Sequence, residues 1–189
     1  MKQKKFLIII AVLVVLIALY FILRSTPAGK ILRNNTNNKL TEQKLFFDPL
    51  NATYTIEGQQ FVFKNGKAEK EIPGSSAKIE IRNFDIPFYG DLNGDGIDDA
   101  AFTLFYTAGG SGIFYYVVAA MNIDDKAIGT NAILLGDRIA PQNTLIENQI
   151  ILANYADRKP GEPMTEDPSV GTTKRIFWDG NKLTEKIGN

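Results

Sequence analysis

The sequence predicts a mainly β protein: an N-terminal transmembrane helix, then one antiparallel β meander folded as a sandwich or an open barrel. Three observations carry that class. Residues 6–23 form an unbroken run of eighteen uncharged, almost wholly apolar positions. From residue 45 onward apolar and polar residues alternate with period two, in short runs separated by turns containing Gly, Asn or Asp. Over those same residues no window of about twelve shows the 3.6-residue repeat of an amphipathic helix.

The first element, Phe6 to Leu23 (FLIIIAVLVVLIALYFIL), would make about 27 Å of helix at 1.5 Å per residue, close to the thickness of a bilayer's hydrocarbon core. Lys2, Lys4 and Lys5 precede it in a basic tail, residues 1–5. A cleaved signal peptide shares that start, but its apolar stretch is about 7–15 residues long and ends in a small-x-small site. Here Arg24-Ser25-Thr26-Pro27 follow at once, so the expectation is an uncleaved signal-anchor. Flanking charge nearly balances, with the three lysines and the amino terminus facing Arg24, Lys30 and Arg33. So short a basic tail is expected to stay in the cytoplasm, which makes the C-terminal domain extracytoplasmic and the chain a single-pass membrane protein. Residues 24–44, with Asn34, Asn35, Asn37 and Asn38 at their centre, are too polar to bury a core and read as a flexible tether.

Composition narrows the chemistry. The chain has no Cys and no His, which excludes disulfides, thiolate nucleophiles, histidine triads and zinc sites built on those ligands. Its 21 basic and 21 acidic residues balance, but three of the lysines lie before the anchor and every acid lies after it. The remainder carries 18 basic against 21 acidic residues, a net charge of −3, so attraction to a nucleic-acid backbone is not expected.

Residues 45–189 are long enough for one core. Strands are expected at 53–56, 60–64, 68–72 and 77–84, with turns at Glu57-Gly58 and Asn65-Gly66; the Asn-Gly pair is the stronger hairpin signal. Two long apolar runs, 100–107 and 112–121, joined by Ala108-Gly109-Gly110-Ser111, should form the central hairpin. Shorter strands are expected at 132–135, 144–146, 149–154, 175–178 and 183–186, the last pair closed by Asp179-Gly180. Residues 157–173, broken by Pro160, Pro163 and Pro168, read as a long surface loop.

One motif carries chemistry. Residues 91–99 read D-x-N-x-D-G-x-x-D, and calcium wants six to eight hard oxygens that one tight loop can largely supply. Asp91, Asn93 and Asp95 offer side-chain oxygens, Ile97 its backbone carbonyl, and Asp99 closes the ring, while Gly94 and Gly96 let the chain curl. A metal-free series of Asx turns uses the same residues and is the competing reading. An EF-hand would need Glu at position 12, where Phe102 stands, and helices where strands are expected.

The segment resembles the calcium loop of FG-GAP (integrin α-type) propeller repeats. That resemblance implies ligand roles for Asp91, Asn93, Asp95, Ile97 and Asp99, and a Ca2+ cofactor. It covers about thirteen residues and occurs once, whereas a propeller needs one copy per blade. A broader similarity, on the segment from Gly90 to Ala101 ahead of a Gly-rich turn, is to small bacterial envelope proteins of the LppP/LprE lipoprotein type. It implies an extracytoplasmic location and no established reaction; the lipid-bearing Cys of that type is absent, which leaves the helix as anchor.

Other patches are weaker. The AGGSG run at 108–112 precedes a strand rather than a helix, unlike a phosphate cradle. The neighbouring acids Asp98-Asp99 and Asp124-Asp125 should point to opposite faces and not converge on one bond. Asp137-Arg138 and Asp157-Arg158-Lys159 read as ion pairs or the rim of a polar cleft, and Tyr106, Phe114, Tyr115, Tyr116 and Trp178 as core or an aromatic platform. The sequence therefore points to a membrane-anchored, calcium-rigidified binding or envelope-assembly module with an envelope protein or glycan as partner. The alternatives are a hydrolase acting on envelope glycans through Asp/Glu chemistry and a structural accessory domain of a membrane assembly.

Overall fold

The computed structural model describes residues 47–186. The basic tail, the anchor at 6–23 and the tether at 24–44 lie outside them, and among the described residues no helix is long and apolar enough to cross a membrane. The domain is antiparallel β throughout its named strands, preceded by one short 3-10 helix, Pro49–Asn51, capped by the Asp48 carboxylate on the Leu50 amide.

Strands β1 (Thr53–Ile56) and β2 (Gln59–Val62) form a separate hairpin. The central sheet holds β3 (Lys67–Glu71), β4 (Lys78–Asn83), β5 (Phe88–Gly90), β6 (Asp99–Thr107), β7 (Phe114–Ile123), β8 (Lys126–Gly129) and β9 (Ile133–Asp137). β6 and β7 pair along their length; β4 and β5 share one flank of β6, and β8 and β9 share the far flank of β7. A four-stranded meander completes the domain: β10 (Ala140–Glu147), β11 (Ile150–Asp157), β12 (Val170–Trp178) and β13 (Leu183–Glu185).

β6 and β7 are near-continuous apolar runs because both of their faces are covered. Their even-numbered residues, including Phe102, Leu104 and Val118, pack with Tyr54, Phe61 and Phe63 of the β1–β2 region. Odd-numbered residues, including Ala101, Val117 and Met121, pack with Ile146, Ile151, Ile176 and Leu183 of the meander. Successive side chains on a strand point to opposite faces, so one hairpin seeds two cores. Asn131 ties the layers together, its side-chain amide bonding both the amide and the carbonyl of Leu183.

The central hairpin and the Asp179-Gly180 turn stand where the sequence places them. Asn65-Gly66 does adopt a left-handed turn, but β2 and β3 then diverge into different sheets. The turn is instead fastened sideways, Gly66 donating to the Leu50 carbonyl and accepting from the Asn83 amide. β5 and β8 are additional strands of three and four residues, too short to show alternation. The long loop shortens to 158–169, because β11 reaches Asp157 and β12 begins at Val170, paired with each other there.

Candidate functional site

Residues 91–98 link β5 to β6, whose pairing closes at Gly90 opposite Asp99. Gly94 and Gly96 lie at φ +83° and +81°, the left-handed region that glycine adopts without strain. At Gly96 a Cβ would meet nothing within 4 Å, so the backbone angle, not space, requires glycine there.

Side chains then cap the turn one after another. Asp91 accepts the Gly94 amide on Oδ1 and the Gly96 amide on Oδ2, at 2.6 and 3.0 Å. Asn93 Oδ1 accepts from the Asp95 amide and its Nδ2 donates to Asp95 Oδ2, while Asp95 Oδ1 accepts from the Ile97 amide. These are the Asx turns that D, N and G favour. Each carboxylate oxygen still has a second lone pair. The Ile97 side chain is exposed, so only its backbone faces the turn's interior as a donor.

Asp99 is placed differently. Its residue is fully buried, with Oδ1 accepting from the Asn122 amide at 2.8 Å and Oδ2 from the Leu92 amide at 3.0 Å. Burial holds its carboxyl above the ordinary value, against the lowering effect of those amides. Asp99 thus pins the start of the loop to β6 and to the neighbouring strand β7. Beside it, the buried Asn122 donates from Nδ2 to the Asp98 carbonyl, while its Oδ1 has no hydrogen-bond partner, alone in this among the described buried side chains. Such an atom calls for a water or an ion-bound ligand.

Tested against a cation, the donor set is all oxygen and fits calcium in kind. Asp91, Asn93 and Asp95 are gathered along the exposed turn, whereas Asp99 approaches from the buried side through the Leu92 amide. Among the described residues no three His, Cys, Asp or Glu side chains are grouped closely enough to hold a metal ion. Coordination would therefore have to draw on Asn93 and the Ile97 carbonyl and tighten the loop.

The remaining sequence candidates resolve into structure. Asp124 and Asp125 form the left-handed β7–β8 turn, at φ 51° and 61°. Asp137 pairs with Arg138 at 3.1 Å and accepts the Ile113 amide, and the Arg138 guanidinium holds its carboxyl below the ordinary range. Arg158 donates to the carbonyls of Arg138 and Glu166, closing the 158–169 loop. Tyr106 meets Phe114 and Tyr116 edge to face, Tyr115 likewise meets Phe84 and Phe105, and Trp178 packs on the meander core.

Asp85 was not among the sequence candidates. Its Oδ1 accepts the Thr103 amide at 2.7 Å and its Oδ2 the Thr144 hydroxyl at 3.0 Å, while the Thr103 and Thr144 hydroxyls lie 2.8 Å apart. This cluster joins β6 to β10 across the layers, and burial raises the Asp85 carboxyl above its usual range. The available signal was polar residues isolated in apolar runs: Asp85 between Phe84 and Ile86, Thr103 within AAFTLFYT.

Fold and site together define an antiparallel β-domain with two cores and an oxygen-rich turn between two strands of its central sheet. A scan against protein-family models, a search of curated proteins and a search of solved structures each return no match.

Proposed function

We propose that the chain is a single-pass, N-terminally anchored protein whose extracytoplasmic β-domain is rigidified by one calcium ion and serves as a binding or envelope-assembly module. Asp91, Asn93, Asp95, the Ile97 carbonyl and Asp99 would hold the ion, through lone pairs their amide hydrogen bonds leave free. The observation that carries this reading is the Asp91–Ile97 ladder of capped amides, with Asn122, whose Oδ1 is unpartnered, donating from Nδ2 to the Asp98 carbonyl just beyond it. The FG-GAP resemblance supports the same ligand set. A single loop of this kind fixes geometry, here that of the β5–β6 junction it closes.

Thermal unfolding of the full chain in detergent, with calcium, magnesium or chelator, tests the reading. Binding at a hundred times the dissociation constant would add about 2.7 kcal/mol to stability, a rise of several degrees in midpoint. A midpoint indifferent to calcium, or a calcium effect that survives Asp95→Ala, would defeat the metal assignment. Anchoring is tested by carbonate extraction, and sidedness by protease protection; digestion only after lysis would reverse the extracytoplasmic placement.

A further inference from the structure

Two strands of the central sheet turn a charged face to solvent. Ala68 of β3 and Ile79 and Ile81 of β4 point into the first core. Lys67, Glu69 and Glu71 of β3 and Lys78, Glu80 and Arg82 of β4 therefore stand on the other face, and all six are exposed. Phe105 and Thr107 of β6 carry that face onward, opposite Arg82 and Glu80.

The strand register sets like charge against like. Lys67 lies directly opposite Arg82, and Glu69 directly opposite Glu80, pairings that destabilise a sheet unless opposite charge lies between them. At the acidic end Lys78 supplies it, meeting Glu71 at 3.0 Å and Glu69 at 4.0 Å. Its hydrogen bond to Glu71 and the charges of Glu71, Glu69 and Glu80 hold the Lys78 ammonium above its ordinary value. At the basic end nothing does so: among the described residues neither Lys67 nor Arg82 pairs with a carboxylate. The Arg82 guanidinium instead stacks on the Phe105 ring, 4.4 Å from its centroid. Stacking fixes its plane and leaves the fork of N–H donors at its edge open to a carboxylate, which it grips through two parallel hydrogen bonds.

Between the two rows lies a cleft of about 140 Å³, lined by Lys67, Arg82, Glu69, Glu80 and Phe105. A cavity of roughly 150 Å³ accepts benzene, so the cleft has room for a single six-membered ring. Its polar groups are sorted by end, for Lys67 and Arg82 only donate, whereas the Glu69 and Glu80 carboxylates only accept. The rows stand two residues apart, about 7 Å along the strands, close to the width of one pyranose. The complementary ligand is one ring with a carboxylate on one side and donating hydroxyls on the other. A sugar acid meets all of these conditions. An acidic peptide brings the carboxylate without the hydroxyls, and a neutral sugar brings the hydroxyls alone.

We propose that this cleft binds a hexuronate residue of an acidic glycan, its carboxylate on Arg82 and Lys67 and its ring hydroxyls on Glu80 and Glu69; this rests on the binding-module reading, names its partner and makes no use of the calcium loop. The full chain, held with chelator in a neutral detergent that contains no sugar, is titrated against fluorescently labelled tetramers of galacturonate, glucose and glutamate, read by anisotropy. The expected result is saturable binding of the galacturonate tetramer, at least about ten-fold tighter than either of the others. Arg82→Gln should weaken it about ten-fold, and Lys67→Gln and Glu80→Gln several-fold each. Tighter binding in Glu80→Gln marks plain charge attraction and overturns the proposal. Should Arg82→Gln fail to fold, as its thermal midpoint reports, Lys67→Gln and Glu80→Gln decide. Binding of the glutamate tetramer as tight as that of galacturonate makes the partner an acidic peptide, overturning the proposal while the domain remains a binding module. Silence from all three tetramers overturns the proposal and counts against the binding-module reading, with the calcium loop still tested by its own titration.

Discussion

Replacing Asp99 by Ala removes the two oxygens that satisfy the buried Leu92 and Asn122 amides, at 3.0 and 2.8 Å. An unsatisfied buried amide costs about 1–3 kcal/mol, so the pair sums to about 2–6 kcal/mol. Removing a carboxylate that burial already penalises, as its raised pKa records, returns part of that, leaving about 2–4 kcal/mol. The assay is urea unfolding of residues 45–189 in chelator, which separates this effect from metal binding; both cores lie within the described residues. With a urea slope of about 2 kcal/mol per molar, the midpoint should fall by about 1–2 M. Asp99→Asn retains one acceptor oxygen and should lose about half as much. A midpoint for Asp99→Ala within about 0.2 M of the parent would refute the idea that this side chain pins the loop to the sheet.

Three further outcomes follow from named contacts. Burial raises the Asp85 carboxyl above 3.8, so between that value and the raised one the folded state holds more protons than the unfolded state. Stability should therefore decline as pH climbs through that window, and the decline should vanish in Asp85→Asn, measured by unfolding at a series of acidic pH values. Asp137 is the opposite case: Arg138 lowers its pKa, so its contribution is present above the ordinary carboxylate value and lost as pH falls through the folded one. Arg138→Ala should shrink that acid-side loss in the same series of measurements. At Gly129 an added Cβ would collide with the Thr53 carbonyl and lie 2.7 Å from the Tyr54 ring, so Gly129→Ala should cost about 1–3 kcal/mol by calorimetry.

The parts of the fold that were legible in the sequence are those where a local signal is also the global one. β6 and β7 announce themselves because burial on both faces makes them apolar throughout, and the Asp179-Gly180 turn because Asp179 caps the four-residue connection locally, accepting from the Asn181 and Lys182 amides. Asn65-Gly66 shows the limit: the turn forms, but side contacts to Leu50 and Asn83, not turn chemistry, decide where β3 goes. β10 begins earlier than its apolar core suggests because Pro141 sits on an edge strand beside a register shift, where no donor is missed. The β12 start, Val170-Gly171-Thr172-Thr173, has no apolar alternation and is ordered by β11 alone. In the loop, the roles of Asp91, Asn93 and Asp95 as turn-forming side chains followed from spacing. That Asp99 faces inward onto amides distant in sequence did not, because Asn122 lies on another strand. The role of Asp85 is illegible in sequence for the same reason, its partners Thr103 and Thr144 being brought to it only by the packing of two sheets.

Calcium binding measured directly by isothermal titration tests the central claim. The account predicts one ion bound per chain, with magnesium bound more weakly, and loss of the titration in Asp95→Ala. No calcium binding up to millimolar free ion, or binding unchanged by Asp95→Ala, would contradict it and leave the loop a self-capped turn.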